Sequence, residues 1–148
     1  MSEASIRLEG LLADAESLLA VFVESHLALL PEPLRGPTLV AWPTVRDRFG
    51  SVRAALRKPT ARIERGLETV GLTGPELVMK VAGYAAARDQ LETQRRQPKP
   101  PPRGLGWLFQ RVFAWLNTIL GSLSSVIPGV DAIKEFKEAI ENGIEDNS

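Results

Sequence analysis

Residues 104–127 read GLGWLFQRVFAWLNTILGSLSSVI, and this stretch contains a single charged side chain, Arg111. At 100° per residue, its bulky apolar side chains other than Trp107 fall within an arc of about 160°, which predicts a strongly amphipathic helix. Serine, threonine, asparagine and glycine occupy most of the opposite side. So large an apolar face must be covered by the chain itself, a second copy, another protein or a membrane.

The segments on either side set this stretch apart. A basic, proline-rich segment precedes it at 96–103 and favours an extended backbone. A Pro-Gly pair follows it and predicts a turn. A last helix is then predicted from about 131 to 145, with Lys137 and Glu141 as an i,i+4 ion pair on its solvent side. We therefore predict a C-terminal amphipathic helical hairpin over 104–148.

For the N-terminal part of the chain, 1–95, the sequence pattern predicts a bundle of about four helices. Apolar residues at helical spacing place these helices at about 4–30, 45–57, 61–70 and 74–95. Residues 31–43 contain four prolines and predict a connector. Three apolar side chains of this connector are expected to lie against the core: Leu39, Val40 and Trp42.

Three threonines precede helical patterns in this part and are predicted N-caps: Thr44, Thr60 and Thr73. Thr73 and Glu76 have the spacing of a capping box. No segment shows the sustained alternation of a β-strand. The predicted fold class is all-α: a helical bundle of about four helices, a short proline-rich linker at 96–103 and the C-terminal hairpin.

Composition limits the classes of function. The chain of 148 residues has a formal net charge of zero and no cysteine, which excludes disulfides and thiolate chemistry. Its polar N-terminus does not resemble a signal peptide, so we expect a cytoplasmic protein. We identify no catalytic or metal-binding motif, and we expect no enzyme activity, no cofactor and no small-molecule substrate. The one histidine, His26, lies on the apolar side of the first helix, where we interpret it as a histidine of the core or its edge that hydrogen-bonds to a neighbour.

The favoured hypothesis is a non-enzymatic interaction protein, an adaptor or small regulatory subunit. It would dock on another protein, or self-associate as a homo-oligomer, through the C-terminal hairpin. Large side chains anchor protein interfaces, and aromatic ones are enriched there. Six residues are the predicted anchors: Trp107, Phe109, Phe113, Trp115, Leu116 and Leu120.

Two other hypotheses stay open. In the first, the chain acts on membranes, and the N-terminal bundle masks the amphipathic helix 104–127 until it is released. In the second, the basic segment 46–65 contacts nucleic-acid phosphates. The candidate anion-binding residues are Arg46, Arg53, Arg57 and Arg62. The neutral net charge argues against this last hypothesis.

Overall fold

The computed structural model describes residues 2–98 and 102–147, and this part of the chain contains helices and no β-strand. The six α-helices are α1 (Glu3–Ser25), α2 (Glu32–Arg57), α3 (Ala61–Thr69), α4 (Gly74–Arg95), α5 (Pro102–Leu123) and α6 (Val130–Asp146). A 3-10 turn at Leu27–Leu29 follows α1. The all-α prediction is confirmed.

Helix α1 ends at Ser25, five residues before the predicted end at Leu30. The His26 amide still bonds to the Phe22 carbonyl, and the chain then tightens into the 3-10 turn. Leu30 is extended because the proline that follows it disfavours the helical backbone. At the other end, the Ser2 hydroxyl caps the helix by accepting the Ser5 amide at 3.2 Å.

The predicted connector at 31–43 is wrong, because these residues form the first half of α2. Pro37 and Pro43 lie inside the helix, and each lacks the N–H that would bond to the carbonyl four residues earlier. Burial of Trp42 and of Val45 on the core side keeps this segment helical.

The prediction that three apolar side chains of 31–43 lie against the core is confirmed only in part. Trp42 is buried as expected, whereas Leu39 and Val40 are exposed by 54% and 79%. Since α2 already runs through Thr44, this residue is not an N-cap, which also corrects the prediction.

The predicted N-caps of α3 and α4 differ in whether their side chains make a capping hydrogen bond. Thr60 caps α3 as predicted, since its hydroxyl accepts the Ile63 amide at 3.2 Å. Thr73 occupies the N-cap position of α4, but its side chain makes no capping hydrogen bond, so the predicted capping box is absent. Gly74, the first residue of α4, instead has a left-handed φ of 62°, which suits glycine.

The five long helices form a ring in the order α1, α2, α6, α5, α4, and α1 closes the ring against α4. Helices α4 and α5 are antiparallel, since Gln94 and Gly104 line one cavity and Gly83 lies beside Trp115. Helices α2 and α6 are also antiparallel, since Gly129 lies beside Arg48 and Gly143 lies beside Leu34. Helix α3 lies at one end of the ring, where Gly66 meets Val126.

A single hydrophobic core joins the N-terminal and C-terminal parts. The Phe22 ring of α1 packs edge-on against Phe109 of α5, with centroids 5.2 Å apart. Trp42 of α2 lies 5.7 Å from Phe136 of α6. The apolar face of the predicted amphipathic helix is therefore covered by its own chain.

The domain boundaries remain predictions. Helix α5 begins at Pro102, inside the predicted linker at 96–103, and ends at Leu123. Part of this linker lies outside the described residues.

Candidate functional site

Four of the six predicted interaction anchors are buried in the core. Phe109, Phe113, Leu116 and Leu120 have almost no exposed surface. They cannot contact a partner while the chain keeps this fold, which corrects their assignment as surface anchors. Trp115 is half-buried, and its ring occupies the space beside Gly83. Only Trp107 is largely exposed, at 56%, with the Arg111 guanidinium 5.2 Å from its ring.

Three of the four candidate anion-binding arginines are paired with carboxylates of α1. Arg46 lies 3.3 Å from Glu16, and Arg53 and Arg57 lie 3.0 and 2.9 Å from Glu9. Burial alone would raise the pKa of Glu9, but the hydrogen bonds from both arginines outweigh it and lower the pKa.

These arginines hold α1 against α2. The fourth, Arg62, is exposed on α3 and is not part of this cluster. The structure therefore does not gather the predicted arginines into one phosphate-binding surface.

A second polar cluster connects α1 with α4. The Tyr84 hydroxyl donates to Asp14, and Arg88 donates to the same carboxylate at 3.2 Å. Arg88 and Arg95 both donate to Glu92. Burial, reinforced by Asp14, raises the pKa of Tyr84 well above its usual value, so its hydroxyl stays protonated. The Asp14 and Glu92 carboxylates each accept from two donors, whereas the buried Nε of Arg95 has no hydrogen-bond partner.

Lys137 was predicted on the solvent side of the last helix, and this prediction is wrong because its side chain is completely buried. The predicted partner is correct: the Lys137 ammonium donates to Glu141 at 2.9 Å. It also donates to Asn117 of α5, whose amide in turn donates to Glu141 at 3.2 Å. Burial lowers the pKa of Lys137 although Glu141 opposes this effect.

His26 agrees with its interpretation as a histidine at the edge of the core. Its ring lies 5.3 Å from that of Phe109. Burial, and secondarily the charge of Arg95, lowers its pKa. Among the described residues, no three histidine, aspartate or glutamate side chains are close enough together to hold a metal ion.

The surface feature that the sequence did not predict is an apolar groove between α2 and α6, of about 380 Å³. We call it the α2–α6 groove. Phe136 and Val45 are its buried floor. Its remaining lining residues are Leu34, Pro37, Thr38, Ala41, Ala132, Glu135 and Ala139. From Leu34 to Val45 it spans twelve residues of α2, or about 17 Å at a rise of 1.5 Å per residue.

The two sides of the α2–α6 groove differ in charge. On the α2 side, the lining residue Leu34 adds exposed apolar surface. On the α6 side, Asp131, Glu135 and Glu138 project along one flank of the helix at spacings of three and four residues. Asp131 and Glu135 are exposed, and no ion pair among the described residues involves either of them. The groove thus has an acidic rim on one side only.

A second surface consists of the outward sides of α4 and α5, and we call it the α4–α5 face. Eight exposed residues define it: Pro75, Met79, Ala82 and Ala86 on α4, and Trp107, Ala114, Thr118 and Gly121 on α5. Asp89 is exposed beyond Ala86 on α4, and Arg111 is exposed on α5 between Trp107 and Ala114. The rest of the face is uncharged, and most of its side chains are small.

Comparisons with known protein families, characterised proteins and solved structures find no match to this chain. Within the described residues, no helix has both the length and the hydropathy needed to cross a membrane.

Proposed function

We propose that this chain is a non-enzymatic interaction protein, and that the α2–α6 groove binds an amphipathic helix of a partner protein. The observation that carries this proposal is an exposed apolar groove with an acidic rim on one side. An apolar channel between two helices is a common receptor for the apolar face of a third helix. The length of the groove and the charge of its rim define the length and the charge of the partner helix.

The length of the groove sets the size of the bound segment. A helix that fills about 17 Å needs about 11 or 12 residues, which is three turns. Its apolar side chains would lie on Phe136 and Val45 and against the exposed Leu34. Covering this surface contributes favourably at about 25 cal/mol per Å² of apolar area, less the cost of ordering the partner.

The acidic rim sets the charge of the partner. A helix that places lysine or arginine beside Asp131 and Glu135 gains favourable electrostatic energy, whereas an acidic helix is repelled. Because the rim is exposed, this attraction is screened by salt. The proposed partner is therefore a basic amphipathic helix, with its basic side chains on the side nearest α6.

The titration that tests this proposal uses a synthetic peptide of about 12 residues with leucine on one helical face and lysine on the other. We expect calorimetry to detect one binding site on the full chain, with affinity that falls as salt is added. Ala139→Arg places a long cation in the groove without disturbing the core, because Ala139 is exposed. It should weaken binding at least tenfold, or about 1.4 kcal/mol.

Ala54→Arg is the matched control, since Ala54 is exposed on α2 two turns beyond the groove and receives the same charge. It should bind the peptide like the wild type. A peptide with glutamate in place of lysine should not bind. The proposal fails if the lysine peptide does not bind, or if Ala139→Arg and Ala54→Arg weaken binding equally.

The membrane and nucleic-acid hypotheses receive less support. Membrane action by the predicted helix requires α5 to leave the core and expose Phe109, Phe113 and Leu116. Exposure of each such side chain costs about 1.5–3 kcal/mol. Nucleic-acid binding requires Arg46, Arg53 and Arg57 to give up their carboxylate partners. The groove needs no such rearrangement.

A further inference from the structure

We propose that residues 32–41, the first ten residues of α2, open and close as a local unit, and that a partner helix bound in the α2–α6 groove holds them closed. We call these residues the 32–41 segment. Its opening is inferred from its own sequence and packing, whereas the role of the partner rests on the proposed function.

The 32–41 segment contributes no fully buried side chain to the core. Eight of its residues are exposed, and the other two, Arg35 and Thr38, are half-buried. The buried side chains of α2 begin at Trp42 and continue with Val45 and Phe49. Because packing of an apolar face supplies most of the stability of a helix in a protein, the segment is held less firmly than the rest of α2.

The sequence of the 32–41 segment also disfavours a helix that stands alone. Gly36 and Pro37 lie at its middle, and glycine and proline have the lowest helix propensities. Pro37 and Pro43 each remove one hydrogen bond from α2, and the N-cap residue Pro31 makes no side-chain capping bond. Helices shorter than about 12 residues are marginal in water even when rich in alanine, so this segment depends on tertiary contacts.

The contacts that hold the 32–41 segment lie mostly near its start. The Arg35 guanidinium donates to the Leu30 carbonyl at 3.0 Å. The Leu34 side chain reaches α6, where it lies beside Gly143. Beyond Leu34, the α2–α6 groove lies between the segment and α6. The arginines that pair with α1 lie later in α2: Arg46, Arg53 and Arg57.

Buried side chains fix the chain on both sides of the 32–41 segment, at Leu30 and at Trp42. The helical path between these two residues is about 20 Å long. An extended chain of the same number of residues reaches about 40 Å. The segment can therefore lose its helix while both fixed points and the core beyond them stay in place.

Opening of the 32–41 segment removes one wall of the α2–α6 groove, because Leu34, Pro37 and Ala41 line it. A helix in the groove contacts these side chains only when the segment is closed. Its binding therefore shifts the population toward the closed form. The order of this wall and the occupancy of the groove are then coupled.

Amide hydrogen exchange of the full chain, followed by NMR, tests the opening. After correction for intrinsic rates, we expect the amides of 38–41 to exchange at least a hundredfold faster than those of 49–56 in the same helix. Equal protection of the two groups would overturn the proposal.

Two glycines of α2 provide matched variants, since Gly36 and Gly50 are both exposed and a Cβ at either would meet no atom within 4 Å. Gly36→Ala should slow the exchange of 38–41 about two- to fivefold, because alanine favours the closed helix. Gly50→Ala should slow 49–56 by a similar factor and leave 38–41 unchanged, because its part of α2 stays folded during the opening. If Gly50→Ala slows both groups equally, α2 opens as one unit and the proposal fails.

The leucine–lysine peptide tests the coupling. At a free concentration ten times its Kd, it should slow the exchange of 38–41 about tenfold, because it binds the closed form alone. The peptide with glutamate in place of lysine should leave these rates unchanged. A lysine peptide that binds without slowing 38–41 overturns the coupling. A lysine peptide that does not bind removes the proposed function and the coupling together, and the two glycine variants still decide whether the segment opens.

Discussion

At the scale of single residues, two helical glycines distinguish the effect of packing on stability from the effect of backbone conformational freedom. Gly83 lies inside α4, where the Trp115 ring already occupies the space of a Cβ. Gly50 lies inside α2, where a Cβ would meet no atom within 4 Å. Both are helical, so alanine removes the same excess freedom from the unfolded chain at both positions.

We expect the two substitutions to have opposite effects on the free energy of unfolding. Gly50→Ala should stabilise the chain by about 0.5–1 kcal/mol. Gly83→Ala should destabilise it by about 1–3 kcal/mol, because Trp115 must move. Urea unfolding of both variants measures these effects. A stabilising Gly83→Ala would show that α4 and α5 do not pack as described.

Lys137 provides a pH-dependent prediction at the same scale. Burial holds the pKa of its ammonium below the usual value of about 10.4. Between the folded and the unfolded pKa, the unfolded chain binds more protons, so stability rises with pH through this window. The contribution of Lys137 to the free energy of unfolding is therefore least favourable below its pKa in the folded chain, and it becomes more favourable toward pH 10.

The comparison uses Lys137→Met, which keeps a long side chain and removes the titrating group. We expect the wild type to gain stability relative to Lys137→Met when the pH rises from 8 to 10. Urea midpoints of both proteins at the two pH values measure this change. Equal changes in both proteins would mean that Lys137 is solvated rather than buried between α5 and α6.

At the scale of helices, sequence patterns predict an element well where local and tertiary preferences agree. The apolar stripe of α5 and the cap at Thr60 are of this kind, and the structure has both. The first half of α2 is the opposite case. Pro37 and Pro43 predict a break, yet burial of Trp42 and Val45 outweighs the two missing hydrogen bonds.

The prolines of 31–43 also explain why the sequence does not predict the α2–α6 groove. If 31–43 is interpreted as a connector, Leu34, Ala41 and Val45 no longer appear as one side of a helix. Their spacing of seven and four residues, which places them on one side of a helix, is the signal in the sequence. The acidic flank of α6 is also visible in the sequence, but its neighbour in space is not.

At the scale of the whole molecule, the main question is whether the N-terminal part can fold alone. Sequence patterns predict 1–95 as a separate bundle. In the structure, Phe22 and Trp42 of this part pack on Phe109 and Phe136 of the hairpin. Removing α5 and α6 would expose these side chains and others, at about 1.5–3 kcal/mol each. Typical folding free energies are only about 5–15 kcal/mol.

We therefore expect residues 1–97 to lose cooperative thermal unfolding, whereas residues 1–148 unfold in one transition. Calorimetry of the two chains tests this expectation. If residues 1–97 unfold cooperatively near the temperature of the full chain, 1–95 is an independent domain. The hairpin would then be available for release, as the membrane hypothesis requires.

The measurement that tests the proposed function most directly is a map of amide chemical shifts as the leucine–lysine peptide is added to the full chain. We expect the changes to concentrate in 34–45 of α2 and 131–139 of α6, the two sides of the α2–α6 groove. Glu9 and Glu16 serve as an internal control, since these carboxylates are already paired with arginines. Changes spread over all acidic positions, or centred on Trp107, would contradict the proposal that the groove is the docking site.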